Sequence, residues 1–107
     1  MQEKTLGNTT ASQAKDNVKD IKFWGDGDLW KLLSKASSEK EGWMKSSKAM
    51  EIKGVGCMVQ VTTQQRNPDG SYVVAEAVTF APKCHIEESK NASEIVVSRK
   101  LVYDFPL

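Results

Sequence analysis

The four residues Asn67-Pro68-Asp69-Gly70 constrain the fold more than any other stretch of this chain. They separate two β-branched, alternating runs, Cys57–Gln65 and Tyr72–Phe80, and so predict an antiparallel hairpin. Pro68 presets φ for the first central position of a turn. Gly70 suits the left-handed residue of a type I turn with a G1 bulge. If residues 67 and 70 close the hairpin, cross-strand partners have numbers summing to 137. Cys57 then pairs with Phe80, Val59 with Val78, Val61 with Glu76, Thr63 with Val74 and Gln65 with Tyr72. That face reads as the core face, and the other, Met58 to Gln64 against Val73 to Thr79, as small or polar. Glu76 is its anomaly: a carboxylate among apolar partners needs a partner of its own, a barrel mouth, or a register shifted by one.

Further strands follow from the same logic. Trp43–Ile52 reads as a strand, with Met44, Met50 and Ile52 on one side, after a turn at Glu41-Gly42. Cys84–Glu88 and Glu94–Tyr103 form a second pair around Ser89–Ser93, with Arg99 interrupting an apolar face of Ile95, Val97, Leu101 and Tyr103. Residues 29–37 support two readings. Leu29, Trp30, Leu33 and Ala36 are spaced as on a helix capped by Asp28, whereas Trp30, Leu32, Ser34 and Ala36 share one side of a strand. Gly25-Asp26-Gly27-Asp28 is turn chemistry that ends the apolar run Ile21–Trp24.

The expected fold is therefore mainly β, an antiparallel meander or small barrel, with one short helix within 28–38 as an option and an α+β class as the alternative. Residues 1–20, rich in Thr, Asn, Gln, Ser, Lys and Asp, read as a flexible polar arm, with a weak helical turn near Ser12–Val18. Residues 21–107 read as a single strand-rich domain, which suits a chain of 107 residues with 39% hydrophobic and 27% charged side chains.

Charge excludes little. Fifteen basic and fourteen acidic residues leave a formal net charge of +1, which argues against a sequence-blind polyanion binder. Residues 22–53 carry seven Lys against five acids, the most basic third of the chain. Met1–Leu6 lacks the apolar stretch of a signal peptide, and no apolar run is long enough to span a bilayer, so the cytoplasm is the expected address and no membrane partner is expected.

Chemistry is sparse. Cys57, Cys84 and His85 are the soft metal ligands, a single Cys-His doublet plus one remote Cys, so no metal is expected. His85 adjoins Cys84, and adjacent strand side chains point to opposite faces, which disfavours a Cys-His catalytic pair. A Cys57–Cys84 bridge is also disfavoured: on a straight strand the two lie about 13 Å apart, unless the chain departs at Pro82. No phosphate-binding glycine loop occurs, so neither cofactor nor catalytic residue is expected. Trp24, Trp30 and Trp43 are the candidate binding residues, with Lys31, Lys35, Lys45 and Lys48 beside them. Aromatic faces beside cations suit base stacking or a protein interface; they could equally fill a small core.

The runs Leu29–Ser38, Glu41–Ile52 and Val59–Tyr72 resemble small uncharacterised proteins of bacteriophages and prophages, over roughly residues 21–88. The resemblance attaches no functional residues. It implies a phage-encoded, non-catalytic protein that modulates a host protein by protein–protein contact in the bacterial cytoplasm. Two alternatives stand beside it: a nucleotide or single-stranded nucleic-acid binder using the Trp/Lys surface, and a virion structural or decoration protein, for which a homo-oligomer is expected.

Overall fold

A computed structural model describes residues 11–104. One helix and six strands follow in order: α1 (Ala11–Asn17), β1 (Lys31–Ser38), β2 (Trp43–Ile52), β3 (Gly56–Arg66), β4 (Tyr72–Pro82), β5 (Cys84–Lys90) and β6 (Val96–Tyr103). Strands β1-β2-β3-β4 form an antiparallel meander, and β5 and β6 form a separate hairpin. The fold is mainly β, and the sheet does not close into a barrel. Residues 31–38 are strand, which removes the option of a helix within 28–38. Ser34, Ser37 and Ser38 favour helix weakly, and pairing with β2 decides the matter for extended chain. The helix lies at Ala11–Asn17, where a helical turn near Ser12–Val18 was expected within the segment read as a polar arm; residues 1–10 of that segment fall outside the described residues.

The hairpin at Asn67–Gly70 is present, but its register differs by one from the expected pairing. Arg66 pairs with Tyr72, so partner numbers sum to 138. The reason is the bulge. Gly70 N–H donates to the Asn67 carbonyl at 2.9 Å, closing the type I turn, and Gly70 takes φ +89°. The extra residue makes Asn67 and Ser71 the closing pair, with Asn67 N–H donating to the Ser71 carbonyl at 2.7 Å. Asp69 pins Ser71 in the loop, accepting from its N–H at 2.9 Å and its hydroxyl at 2.6 Å. The Ser71 hydroxyl, then the backbone, hold the Asp69 carboxyl below its ordinary pKa. This contribution is in place at neutral pH and is lost as pH falls through that depressed value.

One residue of slip exchanges the faces of β4. Cys57, Val59, Val61, Thr63 and Gln65 now share a face with Ala81, Thr79, Ala77, Ala75 and Val73. Tyr72, Val74, Val78 and Phe80, expected against Cys57 and its neighbours, lie on the other face with Met58, Gln60, Thr62, Gln64 and Arg66. Glu76 goes with them, opposite Thr62, exposed and outside the core.

The core forms where the β5–β6 hairpin folds back over the first of these faces. Lys83 carries the corner: its φ is +55°, its N–H donates to the Val55 carbonyl, and its carbonyl accepts from Asp104 N–H at 2.7 Å. The corner sets Cys84 over Cys57, and Ala49, Cys57 and Cys84 form a buried cluster packed by Leu33, Val59, Ala81, Ile86 and Leu101. Arg99, the polar interruption in the β6 face, ties this hairpin down. Its Nε donates to Glu88 at 2.7 Å and its Nη1 to the Leu32 carbonyl of β1 at 3.1 Å. The Arg99 hydrogen bond holds the Glu88 carboxyl below its ordinary pKa.

Small residues make this close approach work. A Cβ on Gly56 would lie 2.3 Å from the Ala81 carbonyl oxygen and 2.9 Å from the Pro82 Cα, both backbone atoms. Gly56→Ala is expected to destabilise the protein by about 1–3 kcal/mol, read as a lower midpoint in urea; Gly54→Ala, with open space around it but φ +80°, serves as the comparison for strain alone. An unchanged midpoint for Gly56→Ala would mean that β3 and β4 do not meet there as described.

Candidate interaction surface

The tryptophans and lysines singled out above do not form one patch. Trp43 opens β2 opposite Ser38, whereas Trp30 precedes Lys31, whose partner is Ala49 at the far end of the same ladder. The two ends are about 20 Å apart at ~3.3 Å per residue. Trp24 lies in the loop before β1 and is 97% exposed. Within that set Trp43 and Lys45 are drawn into contact: Lys45 Nζ lies 5.6 Å from the Trp43 ring centre, and Trp43 Nε1 donates to Glu41. Lys35 and Lys45 are neighbours across the strands, opposite Ser46 and Ala36, but stand on opposite faces of the sheet. Lys48 faces the side of Leu32 and Gln60, and burial lowers its pKa. Lys31 sits at the start of β1 in a groove that also holds Arg99 and Asp28.

Asp28 does act at a helix terminus, although not at the start of 29–36. Its Oδ1 accepts from Ser12 N–H at 3.0 Å, at the first turn of α1, sixteen residues earlier. Its own N–H is held by Asp26 Oδ1 at 2.9 Å, which is the local turn that the Gly-Asp alternation implies.

Cys57 and Cys84 meet in the core as free thiols, and the expected separation of about 13 Å does not hold because the chain turns at Lys83 rather than continuing straight. Cys57 Sγ lies 3.7 Å from the Cys84 carbonyl, and Cys84 Sγ donates to the Ala81 carbonyl at 3.3 Å. Burial first, then the neighbouring Cys84 thiol, pushes the Cys57 pKa up to about 12. His85 points away from this pair and bonds Asp104 on the outer side of the hairpin. The three soft ligands therefore do not converge, and among the described residues no group of three His, Cys, Asp or Glu side chains is arranged to hold a metal.

The surface that the sequence reading missed is β4. It is the last strand of the sheet, and ten of its eleven residues are exposed, Ala81 being the exception. Val73, Val74 and Val78 are each more than half exposed, and Tyr72 and Phe80 about two-fifths. Its backbone is equally open. Asn67 N–H bonds Ser71 at one end of the β3–β4 ladder and Lys83 N–H bonds Val55 at the other. Both pairs are odd-numbered, so odd residues of β4 spend their amides and carbonyls on β3. Tyr72, Val74, Glu76, Val78 and Phe80 direct theirs outward from the sheet edge. The signal was in the sequence: Tyr72–Phe80 is apolar at adjacent as well as alternate positions, unlike a strand with one wet face.

A family model for the Lockin family matches residues 1–100. The chain belongs to the Lockin family. No curated protein and no solved structure matches it. This Lockin chain thus presents a well-buried but small core beneath β5–β6 and an apolar strand edge beyond it.

The two thiols give a direct check on that core. With Cys57 raised to about 12, almost none of it is thiolate at pH 8, and a disulfide reagent is expected to label neither cysteine of the native protein within minutes but both in denaturant. Rapid labelling of Cys57 in native buffer would place it outside the cluster.

Proposed function

We propose that this Lockin protein is a non-catalytic binding protein, phage-encoded, that modulates a host protein by protein–protein contact. The single observation that carries the reading is β4: an eleven-residue edge strand, nearly all exposed, with apolar side chains on both faces. Proteins that stay apart blunt such an edge with lysines, bulges or a covering loop. β4 has no lysine, no bulge in its ladder with β3, and Glu76 as its sole charge. Edges of this kind take an added strand, with backbone bonds supplying affinity and alternate side chains supplying selectivity. The strip Tyr72, Val74, Val78 and Phe80, extended by Met58 on β3, is the contact face.

The phage provenance draws on the resemblance over residues 21–88. The nucleic-acid reading draws on the stacked Trp43–Lys45 pair alone, because the other tryptophans are remote from it. The contact face therefore moves from the Trp/Lys segment to β4.

A photo-crosslinking side chain at Phe80, compared in bacterial cells with the same group at Trp24 and at Trp43, checks this. Phe80 is expected to give one recurrent adduct that disappears when Val74 and Val78 are replaced by Lys, with Trp24 and Trp43 giving none. Adducts from Trp43 and none from Phe80 would sink the β4 reading and return the contact to the Trp/Lys segment.

A further inference from the structure

The occupant of the β4 edge can be narrowed by the strand's own pattern. We infer that a second copy of this chain pairs with it, β4 against β4 in antiparallel register about a two-fold axis at Ala77, giving one continuous eight-stranded sheet. The inference rests on the reading of β4 as a contact element and names what fills its edge.

Three observations carry it. The first is geometric. Outward backbone groups belong to the even residues, so an antiparallel self-pairing must match even with even. A two-fold at Ala77 pairs Tyr72 with Pro82, Val74 with Phe80, Glu76 with Val78 and Ala77 with itself. It is the register that engages all eleven residues of Tyr72–Pro82, and it supplies about ten backbone hydrogen bonds. The second is electrostatic. Shifting the axis to Glu76 would set the two carboxylates opposite one another, which is unfavourable. At Ala77 each Glu76 faces Val78 instead, and Pro82, which has no N–H to give, falls at the end of the ladder.

The third is area. The chain exposes 7845 Å², whereas a compact monomer of its mass exposes about 5,900 Å². The difference is well above the roughly 800 Å² that each partner contributes to a standard interface. The described chain is also elongated, 55 × 30 × 28 Å, with a radius of gyration of 15.6 Å against about 13 Å for a compact domain of this length. β5 packs on β3 and β2, and among the described residues no strand pairs with the outer side of β4. On forming the dimer, the strips Tyr72 to Phe80 of the two copies lie side by side on one face, as a doubled surface for the host protein.

Sedimentation equilibrium of the full chain from about 1 to about 200 µM tests this. A monomer–dimer equilibrium is expected, reaching about 24 kDa, twice the 11.9 kDa of the chain. Val78→Pro removes an outward N–H that β3 does not use, so the protomer keeps its ladder while the dimer weakens by about tenfold or more. Val78→Lys, which keeps the backbone intact, is expected to weaken it likewise should the proline disturb folding. Glu76→Gln is expected to tighten it. A wild type that stays monomeric throughout overturns the inference, as does a dimer unaffected by Val78→Lys. In the first case a heterologous adduct from Phe80 would leave the contact reading intact with a different occupant; no adduct from Phe80 would remove both.

Discussion

Everything beyond the first three strands depends on how one turn is closed. Because the Asn67 N–H donates to the Ser71 carbonyl and not to that of Gly70, every β4 side chain takes the face opposite to that of a tighter loop. The consequence for packing is large. Ala81 falls on the Cys57 face, and its small size leaves room for the chain to fold over at Lys83 and seat Cys84 against Cys57. Had Phe80 and Val78 occupied that face, the space taken by Cys84 and Ile86 would be filled by β4 itself. The same bond sends Tyr72, Val74, Val78 and Phe80 to a face that the β5–β6 hairpin never reaches. The core and the exposed apolar edge are two results of one hydrogen bond.

Much of this was legible in the residues. The turn at Asn67–Gly70, the bounds of β2, the β5–β6 pair and the antiparallel class all follow from alternation and turn chemistry. What went astray was the register: the G1 bulge was read at Gly70, but pairing 67 with 70 left out the residue that such a bulge adds. The alternation of β4 did not expose the slip, because its valines occur at adjacent positions and fit either register. Glu76 was the residue that marked the discrepancy, since only the longer loop takes it out of the core. For residues 31–38, weak propensity left helix and strand level, and pairing with β2 tipped it.

The site was less legible than the fold. Tryptophan and lysine drew notice by type, yet the meander sends Trp30 and Trp43 to opposite ends of one strand pair. Valine and alanine draw no notice by type, and their exposure on an edge strand is a property of topology. Cys57 and Cys84 illustrate the converse: distant on a straight chain, adjacent once Lys83 adopts a positive φ. Their burial and the Arg99 links to Glu88 and Leu32 hold the hairpin against the sheet.

Amide exchange along β4, residue by residue in dilute solution by NMR, tests the register most directly. The account predicts slow exchange at Val73, Ala75, Ala77 and Thr79, which donate to β3, and fast exchange at Val74, Glu76 and Val78, slowing only as concentration rises. Slow even-numbered and fast odd-numbered amides in dilute solution would contradict it, because that alternation belongs to a hairpin closed by Asn67 and Gly70.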